Sequence, residues 1–278
     1  MFDLTSLLEP AGDKLIAIAF HDLETGAEHF RNADEALHPA STFKVHVMME
    51  VFRQAEEGIL SLADQLPIVN TFTSIADGSL FSLDIQDDAE QTLYSRLGDT
   101  ESILELTRLM IVRSSNLATN ILLEKIGVRQ VDEFVQTLGI QGIRIIRGIE
   151  DKAAYRLGLN NRATARGLTQ TMILIAEGKV VSKAACEKMI GILLEQEFNE
   201  CIPAQLPASV RVAHKTGWTD DFYHDTGIIY PDGYTPESHK PYVLSIMTKG
   251  FSEDRAGEAH ECMAAISRLL YEQLTRRQ

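Results

Sequence analysis

Strand-like segments lie at both ends of this 278-residue chain and helical segments fill its middle. That order constrains the fold more than any single residue does. Residues 15–31, LIAIAFHDLETGAEHFR, read as two strands joined through Glu24-Thr25-Gly26. Near the other end, segments 210–215, 226–230 and 242–248 read as three more strands, separated by turn-rich loops such as Pro231-Asp232-Gly233-Tyr234. Residues 253–275 close the chain as a helix with Met263, Ile266 and Leu270 on one face. The middle runs helical: from Ser41 to near Gly58, over 101–138 with Gly127 and Gly139 as punctuation, and over 163–177, followed by shorter turns to about 198. Residues 61–100 form a polar surface excursion, and 140–162 a Gly- and Arg-rich connection. The expected class is α/β (α+β), with an antiparallel sheet built from both termini, flanked by helices, and an inserted all-helical lobe. We read 1–278 as one domain: an α/β lobe (about 1–40 and 170–278) and a helical lobe (about 41–169).

A formal charge of −14 repels nucleic acid and anionic membrane, which excludes both as main partners. The three cysteines, Cys186, Cys201 and Cys262, form no C-x-x-C pair, so they read as reduced thiols. No histidine sits in an H-E-x-x-H arrangement, so a zinc hydrolase is not expected, and the glycines build no phosphate cradle. The start, MFDLTSLLEPAGDK, has no basic n-region, and no stretch approaches a membrane span; the chain as given reads as cytoplasmic, or as secreted if a leader has been removed. Oligomeric state is not legible.

The chemistry begins with HPASTFKVHVMM at residues 38–49. Val45, Met48, Met49 and Phe52 follow the apolar stripe of an amphipathic helix, so Lys44 enters a packed region where an ammonium is costly without a task. Ser41 lies three positions earlier, on nearly the same face, where the Lys44 amine can reach its hydroxyl and take its proton. The plainer alternative is a capping serine beside a solvated lysine. Ser114-Ser115-Asn116 can relay a proton and hold a carbonyl, or can simply cap a helix. Lys215-Thr216-Gly217, at a strand end, offers a cation and a hydroxyl to a carboxylate, with a glycine that leaves the edge clear for a ligand and Trp218 N–H aimed at the same space. His214 alternates with Lys215 and should face the other way.

Taken together, S-x-x-K, S-x-N and K-T-G in this order, on a helix start, a loop and a strand, resemble the serine β-lactamase and penicillin-binding-protein superfamily, most closely its class A-related members. The resemblance runs the whole chain. It implies Ser41 as acylated nucleophile, Lys44 as base or proton relay, and Ser114 as the shuttle to the leaving nitrogen. It also implies Asn116 on the substrate's amide side chain, Lys215, Thr216 and Gly217 at the substrate carboxylate, and the N–H groups of Ser41 and Trp218 as oxyanion hole. The implied partner is a small molecule bearing a carboxylate, without metal or cofactor.

Two positions depart from the class A pattern. Ser115 stands where the middle motif has an aspartate. On the loop before the mid-chain helix, the deacylating glutamate with an asparagine four residues on has no match: Glu150 is followed by Ala154, and Asn160 is preceded by Arg156. Glu150 is the remaining candidate base. The expected activity is therefore hydrolysis of the β-lactam amide through a Ser41 acyl-enzyme. The alternatives are a D,D-peptidase or esterase on the same scaffold, or a penicillin-binding sensor that stays acylated.

Overall fold

The computed structural model describes residues 14–235 and 241–275; the expectation drawn from the first residues of the chain lies outside them. In chain order the elements are β1 (Leu15–Asp22), β2 (Glu28–Arg31), a 3₁₀ turn (Ala40–Phe43) and α1 (Lys44–Glu56). Next come β3 (Gln65–Pro67), β4 (Phe72–Thr73), β5 (Leu80–Phe81), β6 (Thr100–Ser102), α2 (Ile103–Val112), α3 (Asn116–Ile126) and α4 (Val128–Thr137). The chain continues through α5 (Lys152–Arg156), α6 (Ala165–Ala176), α7 (Lys183–Leu193), β7 (Arg211–Thr219), β8 (Phe222–Tyr230), β9 (Tyr242–Lys249) and α8 (Ala256–Thr275).

The main sheet is five-stranded in the order β2-β1-β9-β8-β7, antiparallel throughout. Because β1 comes from one end of the chain and β9 from the other, Ile18 pairs with Ile246 at the centre of a sheet that both ends complete. Alternation along β1 sorts its side chains. Ile16, Ile18 and Phe20 join Leu244 and Ile246 under the Met263, Ile266 and Leu270 face of α8. Ala17 and Ala19 point to the opposite face, into the core formed with the helices. Small residues there let α6 lie close, and Thr169 Oγ1 donates to Ala19 O (3.2 Å) and bonds Ser245 Oγ (2.8 Å).

The stripe of α1 is buried as its spacing predicts, with Val45, Met48, Met49 and Phe52 all in the core. So are polar residues on its other sides, each satisfied: His46 Nε2 bonds Thr171 Oγ1 at 2.9 Å, and Glu50 accepts from Arg53 and Gln54. The inserted segment is mostly helical. It also carries two short two-stranded ladders, β3-β6 and β4-β5, within the polar 61–100 excursion.

Three local features bear on the site, and the first and last differ from the sequence reading. Ser41 lies in the 3₁₀ turn, one step before the α-helix, because Thr42 Oγ1 and N both bond Pro39 O and tighten the backbone (2.6 and 3.2 Å). The 101–138 helix is three helices, broken at Arg113–Ser115 and at Gly127 (φ 84°). Lys215-Thr216-Gly217 lies inside β7 and not at its end, since pairing with β8 continues through Trp218↔Tyr223 and Thr219↔Phe222 before the chain turns at Asp220-Asp221.

Candidate active site

The 3₁₀ turn carrying Ser41 packs directly against β7. A methyl added at Gly217 would lie 2.6 Å from Ser41 N, 2.9 Å from Thr42 N and 3.1 Å from Ala40 Cβ, so only glycine allows this approach. The Ser41 hydroxyl caps nothing and makes no hydrogen bond within the described residues. At the start of α3 the capping work falls to Ser115, whose hydroxyl accepts from Ala118 N (3.1 Å). That leaves its neighbours Ser114 and Asn116 free for other partners.

Those partners are the lysines. Lys44 Nζ donates to Ser114 O (2.7 Å) and Asn116 Oδ1 (2.8 Å), and lies 3.3 Å from Ser114 Oγ. Lys215 Nζ reaches the same Ser114 Oγ at 3.1 Å and Thr216 O at 2.8 Å. Both ammonium groups are fully enclosed, at 0% exposure. The amine of Lys44 therefore turns to Ser114 and Asn116 and not to Ser41, as the spacing alone had implied, because these acceptors already occupy its donors.

The geometry suits either protonation state. Charged, Lys44 has three N–H donors for three acceptors; neutral, it keeps two for the carbonyl oxygens and turns its lone pair to a hydroxyl. Burial pushes Lys44 down to about 7, with the Asp88 carboxylate opposing. Burial, and then the charge of Lys44, push Lys215 well below the ordinary lysine range, with Asp225 opposing. Asp225 lies behind the strand, bonded to His214 Nδ1 (2.9 Å) and Ile202 N (3.0 Å), so His214 does face away from Lys215, into a buried hydrogen bond with Asp225.

Ser41, Ser114, Asn116, Glu150 and Trp218 line one cleft of about 700 Å³. Lys44, Lys215 and Thr216 form the buried wall behind it. Trp218 is 41% exposed at the rim, braced edge-on by Phe198 (5.0 Å between ring centres). Thr216 Oγ1 is buried without a hydrogen-bond partner among the described residues. Among the described residues four non-glycines have positive φ, and three of them, Ala40 (47°), Ser114 (57°) and Glu150 (56°), line this cleft. Backbone held in the left-handed region costs about 1–3 kcal/mol per residue, and such strain concentrates at functional sites.

The floor of the cleft is the 144–162 connection. Asn161 pins it: Oδ1 accepts from Ile146 N (2.8 Å) and Arg147 N (3.1 Å), and Nδ2 donates to Arg147 O (3.0 Å). From α3, Asn120 grips Ile149 through both its N–H (2.8 Å) and its carbonyl (3.0 Å). Glu150 follows; its Oε2 accepts from Asp84 N (3.2 Å), its Oε1 is buried without a protein partner, and burial raises its pKa. Asp151 is engaged by Ser74, Ile75 and Ala154.

Sequence reasoning missed Asp88, Asn120, Arg147 and Asn161. Asn120 had a signal, being four residues after Asn116 on the same helix face; the others act across loops and had none.

The five-stranded antiparallel sheet with its flanking helices, and a serine turn packed on a glycine-cleared strand beside two buried lysines, define the β-lactamase and penicillin-binding-protein fold. The model described as "Beta-lactamase enzyme family" matches residues 3–274, and the chain belongs to that family. A β-lactamase from Streptomyces fradiae is 24% identical over 272 residues, covering 96% of this chain and 84% of its own. A PBP-A variant, solved as an acyl-enzyme complex with penicillin G, superposes with a TM-score of 0.80 at 23% identity, covering 98% of this chain and 94% of its own. A β-lactamase from Sphaerobacter thermophilus gives 0.78 at 20% identity, covering 98% and 97%. At these identities the solved structures establish the fold. Among the described residues, no helix is long and apolar enough to cross a membrane.

Proposed function

We propose that the protein is a serine hydrolase that opens β-lactam amides through an ester on Ser41. The observation that carries this reading is the convergence on one hydroxyl: Lys44 and Lys215 both reach Ser114 Oγ from behind the cleft that Ser41 lines. Ser41 Oγ attacks the ring carbonyl while the neutral Lys44 amine, turning its lone pair from Ser114 Oγ to Ser41, takes the proton. The N–H groups of Ser41 and Trp218 hold the oxyanion, a pairing supported by the close approach of Gly217 to the Ser41 turn. As the C–N bond breaks, the nitrogen takes a proton from Ser114, which is resupplied by the lysines. Lys215 draws the substrate carboxylate toward Thr216, whose hydroxyl is unpartnered, and Asn116 holds the acyl side chain. Glu150 is the carboxylate available to activate a water for release.

One observation favours a second reading. Glu150 spends one oxygen on Asp84, and it is Ile149 that Asn120 fixes at the cleft. A carboxylate held away from the ester leaves it long-lived, as in a penicillin-binding protein.

Intact-mass spectrometry through a time course with penicillin G separates these readings. The expected result is a one-penicillin adduct that decays with appearance of the hydrolysed drug, and no adduct in Ser41→Ala. An adduct that persists supports the second reading. Hydrolysed drug without a detectable adduct, lost in Ser41→Ala, supports the first reading with rapid release; absence of both adduct and drug consumption in the unaltered protein refutes both.

A further inference from the structure

Asp88 lies in the polar excursion, far in sequence from the three motifs, yet it is one of the most heavily hydrogen-bonded carboxylates near the cleft. It is 3% exposed. Its oxygens accept from Asn116 N (3.0 Å to each), Leu117 N (2.9 Å), Glu90 N (3.0 Å) and Tyr94 Oη (3.1 Å). Asn116 and Leu117 open α3, where N–H groups have no partner inside the helix and where a negative charge is favoured. The Ser115 cap takes only Ala118 N, so Asp88 satisfies the donors that the cap cannot reach.

The neighbouring residue finishes the clamp. Asp87 O accepts from Asn116 Nδ2 (3.0 Å), which fixes the orientation of the amide and turns Oδ1 toward Lys44 Nζ (2.8 Å). The opposite orientation would set an NH₂ against the amine. Backbone and side chain of Asn116 are thus both held by residues 87 and 88.

We propose that Asp88 is a positioning residue for acylation: it holds the first turn of α3, and through Asn116 it sets the placement and charge environment of the Lys44 amine. This rests on the reading of Ser41 as the acylated nucleophile. The charged groups that face Lys44 are Asp88 from this loop and Lys215 from β7; neither α1 nor α3 carries an acid in its first turn. Asp88 is therefore the anion that favours the charged form of Lys44 on this side of the site, as Asp225 does for Lys215 from behind.

Asp88→Asn tests this, because it keeps the shape and removes the charge. Two measurements are made: the pH dependence of the acylation rate with penicillin G, and the titration of Lys44 followed by NMR of ¹³C-labelled lysine, assigned with Lys44→Arg. The expected result is a plateau acylation rate at least about tenfold lower, with the Lys44 titration and the acidic limb of the profile moved down by about one pH unit. A loosened site that let water in would move both upward, toward an ordinary lysine. An upward shift, or values unchanged from the parent, overturns the proposal. If the parent protein takes no acyl group, the Ser41 reading fails by itself, while the NMR titration still judges Asp88.

Discussion

Replacing Gly217 by alanine tests the contact on which the site is built. The added methyl would sit 2.6 Å from Ser41 N and 2.9 Å from Thr42 N, where ordinary contact begins near 3.4 Å, so the backbones must part by about 0.8 Å. Both obstacles are main-chain atoms and neither can rotate away. β7 is tied to β8 along its whole length, and the turn runs straight into the buried α1, so the displacement falls on the seam between them. Overpacking of this kind costs about 1–3 kcal/mol of stability. A misplacement approaching 1 Å between nucleophile and oxyanion donors costs about a hundredfold in rate. Stopped-flow acylation with a chromogenic cephalosporin reads the second quantity, and urea unfolding the first. If Gly217→Ala acylates within threefold of the parent at unchanged stability, the strand and turn separate freely, and the close approach is not what aligns Ser41.

Lys44 loses its proton near pH 7, so acylation rises with pH through about 7 and levels off above it; a rate flat across that range removes the amine from the role of base. The same group sets a slope in stability. An unfolded lysine keeps its proton to about 10.4, so between about 7 and that value the unfolded chain binds more protons and the unfolding free energy climbs with pH. Denaturation at the two ends of that window detects the climb, which Lys44→Met reduces without removing, because the buried Lys215 contributes in the same sense. Glu150→Gln leaves acylation within about twofold and slows deacylation by at least about tenfold; single-turnover kinetics with unchanged ester decay would assign water activation elsewhere. Asn161→Ala loses three buried hydrogen bonds that hold the cleft floor, for about 2–4 kcal/mol, and makes the 144–162 segment the first site of limited proteolysis; a protease pattern unchanged from the parent contradicts the pinning role.

The elements were legible where burial falls on one face at a fixed period. The α1 stripe, the β1–β2 hairpin and the Met263, Ile266 and Leu270 face of α8 follow from neighbours in the chain. Boundaries went astray where a distant strand or a local turn decided them, as in β7, whose pairing with β8 carries it past Gly217, and in the 3₁₀ turn at Ser41. The site was legible as residue types, three ordered motifs. Its wiring was not: the expected Ser41–Lys44 contact gives way to Lys44 on Ser114 and Asn116, and Asp88 arrives from a loop whose polar composition marked it only as surface.

By itself, the sequence determined which side chains are available and which local segments carry them, because periodicity and capping depend on residues a few positions apart. Only the tertiary structure decided that Lys44 and Lys215 share one hydroxyl across separations of 70 and 101 residues, and that a loop carboxylate stands beside Lys44. The physical reason is desolvation: the charge and reach of a buried amine are set by whatever the packed fold puts against it, and that set of neighbours is not written in any local pattern.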